Sequence, residues 1–158
     1  MRGKRAPKRK ILPEPKYGSE RIAKFINYLM KKGKKTLAQR IVYQSFEIIN
    51  QRIKQNPLNI FERAIKNASP SMEVKSRRIG GANYQIPVPV DERRKFTLAA
   101  RWLIKAAREK KGKTMEEKLA DEILAASENH GLAIEKKENL HKLAEANRAF
   151  AHLARFIK

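Results

Sequence analysis

One stretch of this sequence combines basic side chains, polar side chains and a pair of glycines in a pattern with clear chemical meaning. In chain order its residues are Lys75, Arg77, Arg78, Gly80, Gly81, Asn83, Tyr84 and Gln85. The planar guanidinium of arginine can bond two phosphate oxygens at once. The pattern therefore favours a nucleic-acid-binding segment. The alternative is a solvent-exposed ribbon whose charged edge prevents aggregation.

Positive charge is concentrated in two parts of the chain. Lysine and arginine outnumber aspartate and glutamate 14 to 2 in residues 1–40 and 11 to 4 in residues 71–112, whereas residues 113–158 hold eight of each. The first part includes the start MRGKRAPKRK and the lysines Lys31, Lys32, Lys34 and Lys35. A formal charge of +21 repels itself in the compact state, and a polyanionic partner would relieve that repulsion. The lysines around Gly33 could equally serve solubility.

No arrangement of residues for catalysis is found in the sequence. The histidines are His130, His141 and His152, and the last two are separated by roughly 16 Å of helix, which is too far for one metal ion. Cysteine is absent, and no glycine-rich phosphate loop followed by lysine occurs. We therefore expect no catalytic residue, no metal, no cofactor and no enzymatic activity. Trp102 could pack in the core or stack on a base.

The elements that would carry these residues can be predicted from apolar periodicity and capping residues. Residues 1–16 are predicted to form a basic, extended arm, and residues 17–158 a single helical domain. The predicted fold class is mainly α, with a six-helix body and a protruding two-stranded β-hairpin at residues 72–90. Gly80 and Gly81 would form its turn. No apolar run long enough for a membrane span and no targeting segment is apparent, so a soluble intracellular protein is expected.

Each helix has a predicted start. Ser19, Thr36, Asp91 and Thr114 are candidate N-caps, and Asn56 with Pro57 opens the third helix. The first helix would end at Gly33, the second near Ile53 and the third at Pro70. The sixth would begin near Glu138 and bury Leu140, Leu143, Ala144, Phe150, Leu153 and Ile157. Leu37 is predicted on the apolar face of the second helix. Arg94, Arg101, Lys105 and Arg108 recur along one basic face of the fourth helix.

Several strings, taken together, resemble a known family. They are KFINYLMKKGKK, QRIVYQSFEII, MEVKSRRIGGANYQIPVPV, ARWLIKAAR and LAEANRAFAH, and their order and spacing are similar to those of the bacterial-type family of small-subunit ribosomal protein seven. The resemblance covers nearly the whole chain and implies a helical body with a protruding hairpin. It also implies a structural protein that binds the 3-prime major domain of small-subunit ribosomal RNA directly and starts assembly of the subunit head.

The resemblance also implies partners and contact residues. Partners would be ribosomal RNA, messenger RNA, exit-site transfer RNA and neighbouring small-subunit proteins, with no membrane and no homo-oligomer. The expected location is cytoplasmic, in the subunit head, or the matrix or stroma of an organelle for an organelle-encoded chain. Gly80, Gly81, Ala82 and Asn83 would lie near messenger and exit-site transfer RNA. The ribosomal RNA contacts would be Arg2, Lys4, Arg5, Lys8, Arg9, Lys10, Lys31, Lys32, Lys34, Lys35, Lys75, Arg77, Arg78, Tyr84, Arg93 and Arg94, to which the basic face of the fourth helix adds Arg101.

The sequence departs from the family pattern at two places. Leu153, Ala154, Arg155 and Phe156 replace the usual Tyr-Arg-Trp ending, and Ser69 stands where the family often has arginine.

Two other function classes are weighed against this interpretation. A DNA-bending architectural protein would insert apolar wedges from a ribbon tip, but Ile79 is the one large apolar residue there. An RNA-modifying enzyme would need a cofactor loop, which is not found.

Overall fold

The protein is mainly helical, with one β-hairpin. The computed structural model describes residue 3 and residues 11–156, the last of them without its side chain. Two compact units divide the chain, residues 1–40 and 41–158. The predicted fold class is confirmed, because the described residues form six α-helices, one 3₁₀ helix and a two-stranded sheet. The predicted boundary between arm and domain after residue 16 stays a prediction.

The elements follow one another with short connections. The α-helices are α1 (Glu20–Leu29), α2 (Lys35–Ile53), α3 (Pro57–Ala68), α4 (Glu92–Glu109), α5 (Met115–Ser127) and α6 (Leu132–Ala146). The hairpin strands β1 (Met72–Ile79) and β2 (Ala82–Pro89) lie between α3 and α4. The 3₁₀ helix, called η1 here, is Arg148–Phe156.

In the first unit a carboxylate organises the turn that precedes α1. Glu14 is buried, and its side-chain oxygens accept hydrogen bonds from the backbone N–H groups of Lys16 and Tyr17 at 2.9 and 2.8 Å. Ser19 then caps α1 as predicted, with its side chain accepting from the N–H of Ile22. The helix ends at Leu29 rather than at Gly33, because Met30 already has an extended backbone conformation (ψ 135°).

The start of α2 corrects two predictions. The helix begins at Lys35, so Thr36 lies in its first turn and is not the N-cap. Leu37 is 47% exposed, whereas Ala38 is buried. The buried stripe runs through Ala38, Val42, Phe46 and Ile49, so the prediction that Leu37 belongs to it was wrong.

The second unit contains a helical core. Helix α3 packs against α4, α5 and α6, and α4 also packs against α5 and α6. The rings of Phe46 and Phe61 meet at 5.6 Å between centroids. Asn56 and Pro57 open α3 as predicted, and Thr114 caps α5 by accepting from the N–H of Glu117. Small side chains allow the helices to approach closely, since the fully buried positions include Ala64, Ala99, Ala100, Ala106, Ala107, Ala120 and Ala126.

The prediction for the sixth helix was wrong about where the helix begins and about its continuing as one α-helix. Helix α6 begins at Leu132, six residues before the predicted Glu138, and it ends at Ala146. The N–H and the side-chain amide of Asn147 both donate to the carbonyl of Leu143, and a 3₁₀ helix follows. Because a 3₁₀ helix has three residues per turn, the predicted apolar stripe does not continue. Leu143 is 43% exposed, and Leu140, Phe150 and Leu153 are half-buried. Ile157 lies outside the described residues.

Candidate nucleic-acid interface

The register of the hairpin puts its two arginines on opposite faces. Arg77 pairs with Tyr84 and Arg78 pairs with Asn83 across the antiparallel ladder. Directly opposed residues share a face, while consecutive residues alternate. Both arginines are exposed. The ribbon therefore presents one guanidinium on each side, which suits insertion between two phosphate-lined surfaces.

The hairpin turn consists of two glycines, as predicted. Gly80 and Gly81 have φ angles of 57° and 92°, and a two-residue hairpin turn with two positive φ angles is tolerated best by glycine. The four residues predicted to lie near messenger and exit-site transfer RNA are all exposed, and they are Gly80, Gly81, Ala82 and Asn83.

The root of the hairpin holds an acidic residue that the sequence analysis did not single out. Glu73 is only 9% exposed, and its Oε2 accepts a hydrogen bond from Nε of Arg94 at 3.1 Å. Its Oε1 lies 3.5 Å from Nζ of Lys75. Two of the predicted RNA-binding residues, one on β1 and one on α4, are thus held by one carboxylate. The contact joins residues 21 positions apart, so local sequence patterns gave no signal for it.

Contacts with α6 and η1 also hold the hairpin. The N–H of Ser71 donates to Nε2 of His141 at 3.1 Å, so this nitrogen is the unprotonated one. Burial lowers the pKa of His141, and the positive charge of Lys137 lowers it further. The rings of Tyr84 and Phe150 pack edge-to-face with 5.4 Å between their centroids. Tyr84, a predicted RNA contact, therefore packs against η1 and is half-buried.

The predicted basic face of α4 is exposed. Arg93 and Arg94 lie in its first turns, and Arg101 follows about two turns later. At its C-terminal end, Lys105 lies 3.9 Å from Glu109, which also pairs with Lys136 at 2.8 Å. The hydrogen bond from Lys136 lowers the pKa of Glu109, so this carboxylate stays ionised and partly neutralises the end of the face.

The remaining predicted contacts lie elsewhere. In the first unit, Lys31, Lys32, Lys34 and Lys35 are exposed in and beside the turn between α1 and α2. Lys32 and Gly33 have positive φ angles of 51° and 73° there. The predicted arm contacts lie outside the described residues, and they are Arg2, Lys4, Arg5, Lys8, Arg9 and Lys10.

A further cluster of charges in the second unit surrounds Asp121. Arg52 and Lys113 both pair with its carboxylate. Burial would raise the pKa of Asp121, but the hydrogen bonds from Arg52 and Lys113 outweigh it and lower the pKa. These two cations are therefore already partnered by an acid.

The part of the chain that the structure describes holds neither a metal-binding cluster nor a helix that could cross a membrane. No group of three or more histidine, aspartate or glutamate side chains there is placed to hold a metal ion. No described helix is both long and apolar enough to cross a membrane.

Comparison with known proteins identifies the family. The model of the family described as ribosomal protein S7p/S5e matches residues 1–148. The chain belongs to this family. It is 55% identical over 152 residues to the small ribosomal subunit protein uS7 of Thermotoga neapolitana, with 96% of this chain and 98% of that protein covered. It is 52% identical over 153 residues to the protein of the same name from Mycoplasma pneumoniae, with coverage of 97% and 99%.

Membership confirms the resemblance that the sequence strings indicated. Proteins of the S7p/S5e family are structural constituents of the small ribosomal subunit and are not enzymes. RNA binding is a property of the family, and it agrees with the exposed arginines of the hairpin. The family match extends to residue 148, which is the first residue of η1.

Proposed function

We propose that this protein binds the 3-prime major domain of small-subunit ribosomal RNA directly and helps to fold it during assembly of the subunit head. The observation that carries the proposal is the hairpin, which presents Arg77 and Arg78 on opposite faces. Its root is held by α4 and α6, and Tyr84 in its distal half packs against η1. A ribbon fixed at its root loses little conformational freedom when it enters an RNA junction.

Recognition in this proposal depends mainly on RNA shape. Exposed lysine and arginine side chains contact phosphates, which fix position and orientation without reading sequence. Single-stranded and junction regions of RNA provide irregular phosphate surfaces that a narrow ribbon can enter. Asn83 and Gln85 are exposed beside the turn and can add hydrogen bonds to base edges.

The proposal assigns different partners to different parts of the hairpin. The strands and the start of α4 contact ribosomal RNA through Lys75, Arg77, Arg78, Arg93 and Arg94. The tip, residues 80–83, lies near messenger RNA and exit-site transfer RNA in the assembled subunit. Small side chains and full exposure at the tip support close approach to another backbone. The charge-balanced residues 113–158 face neighbouring small-subunit proteins.

The test is a binding measurement with the double variant Arg77→Ala, Arg78→Ala. Loss of two phosphate contacts should weaken binding to the 3-prime major domain RNA by at least about tenfold and reduce the salt slope by about 2. The matched control is Lys66→Ala with Lys142→Ala, which removes the same charge from exposed positions on α3 and α6. Filter binding or fluorescence anisotropy at several salt concentrations gives both quantities. Equal weakening by the two double variants would show that net charge, not the hairpin, determines binding.

A further inference from the structure

Glu73 is an acid in a segment that otherwise carries only positive charge. It is the one acidic residue between positions 72 and 89, a stretch that contains Lys75, Arg77 and Arg78. A negative charge at this place opposes the approach of a polyanion. Its presence in a nucleic-acid-binding segment therefore needs a function that outweighs this repulsion.

The contacts of Glu73 indicate what that function is. The carboxylate uses Oε2 to accept from Nε of Arg94 at 3.1 Å. A guanidinium bonded through Nε keeps its two terminal nitrogens available as a fork. Within the described residues these terminal nitrogens have no polar partner, and the side chain of Arg94 is 49% exposed. The hydrogen bond at Nε thus orients the guanidinium of Arg94, and its two terminal nitrogens are open to a ligand.

Orientation of this kind favours phosphate binding. An unrestrained arginine loses rotamer entropy when it binds, by roughly 0.5–1.5 kcal/mol for an immobilised side chain. A side chain that is already held loses less, and the planar fork matches two phosphate oxygens. Glu73 itself is only 9% exposed, so its carboxylate is shielded from the ligand.

We propose that Glu73 is a positioning residue for RNA phosphate, which holds the guanidinium of Arg94 with its two terminal nitrogens directed at the backbone of the bound RNA. This inference rests on the proposed function of the hairpin. It makes an unusual prediction, because removal of this negative charge should weaken binding to a polyanion. If general electrostatic attraction alone determined affinity, removal of a negative charge would strengthen binding to the RNA.

The first comparison is between Glu73→Gln and Glu92→Gln. Both raise the net charge by one, but Glu92 is exposed at the start of α4 and pairs with Lys95 rather than with Arg94. Glu73→Gln should weaken binding to the 3-prime major domain RNA about fivefold and reduce the salt slope by about 1, the value of one phosphate contact. Glu92→Gln should leave affinity unchanged or slightly higher. Equal effects of the two variants would overturn the inference.

A double-variant cycle separates positioning from a structural role. In the Arg94→Ala background, Glu73→Gln should cause no further loss of affinity, because the side chain that it positions is gone. A loss of the same size in both backgrounds would assign Glu73 to hairpin stability and overturn the positioning role. The proposed function and the positioning role of Glu73 are overturned by different results. Absence of RNA binding by the wild-type protein would overturn the proposed function itself.

A second variant covers the case in which Glu73→Gln does not fold. Arg94→Lys leaves Glu73 in place and keeps the positive charge, but an ammonium group cannot bond the carboxylate and a phosphate with a rigid fork. It should weaken RNA binding about as much as Glu73→Gln, with a melting temperature close to that of the wild type. Wild-type affinity for Arg94→Lys would show that an oriented guanidinium is not required.

Discussion

At the residue scale, Glu122 shows how a distant side chain determines where a helix begins. Glu122 of α5 is fully buried, and its Oε1 accepts from the N–H of Ala133 in the first turn of α6 at 3.0 Å. Its Oε2 forms an ion pair with Lys110 at 2.8 Å. Gly131, at the N-cap position of α6, has no side chain to cap the helix, so Glu122 takes that place.

Local caps could be predicted from the sequence, whereas this one could not. Ser19, Asn56 and Thr114 each bond a backbone N–H two or three residues away, so their patterns are visible in a short window. Glu122 acts over 11 residues through a chain reversal. The prediction that α6 begins at Glu138 was wrong because nothing near Leu132 resembles a local cap.

Gly131 leads to a prediction at this scale. A Cβ at this position would lie 3.0 Å from Oε1 of Glu122 and 3.2 Å from Cβ of Ala125, and φ is +94°. Gly112 is the matched control, since its φ is +84° but a Cβ there would meet nothing within 4 Å. Both alanine variants should lose stability from backbone strain, and Gly131→Ala should lose about 1–3 kcal/mol more because of overpacking. Urea unfolding measures the difference, and equal losses would contradict it.

At the scale of elements, the hairpin divides into a part that local sequence predicts and a part that it does not. Alternation of residue types and the Gly80-Gly81 pair predict two strands and a turn, and both are present. The contacts that hold the hairpin depend on residues far along the chain, such as His141 and Phe150. Their partners cannot be found from periodicity, particularly because the change from α6 to η1 alters the helical period.

His141 makes the contact between α6 and the hairpin root depend on pH. Its pKa is lowered from 6.5 in the folded protein, first by burial and then by Lys137. As pH falls below about 6.5, the unfolded chain gains a proton at this site before the folded chain does, so the free energy of unfolding decreases. The decrease ends once pH passes below the folded pKa. Because the pKa values of Asp121 and Glu109 are lowered, these carboxylates reduce the free energy of unfolding only at more acidic pH, below about 4.5.

The measurement is urea unfolding of the wild type and of His141→Gln at about pH 7.5 and about pH 5.5. The wild type should lose more stability between the two pH values than the variant, which has no group to titrate at this position. His130 and His152 are present in both proteins, so their contributions cancel in the comparison. Identical losses would show that His141 does not couple protonation to folding.

At the scale of the whole molecule, positive charge is concentrated in two parts of the chain. Residues 1–40 and 71–112 contribute +19 of the formal charge of +21, while residues 113–158 are balanced. Within the second unit, several cations outside the hairpin are paired with acids, as in Arg52 with Asp121 and Lys136 with Glu109. Sequence strings were sufficient to indicate the family, because they preserve the order and spacing of many residues. They could not indicate the role of Glu73, which depends on a contact between β1 and α4.

The most direct test of the central claim compares binding of the wild-type protein to the 3-prime major domain RNA and to duplex DNA of equal charge. Shape recognition should persist when salt screens the phosphate attraction, so at high salt the RNA should bind tighter by about two orders of magnitude or more. At low salt the two affinities should approach each other. Equal affinity for RNA and DNA at high salt would contradict the account and would favour a general polyanion-binding protein of the architectural kind.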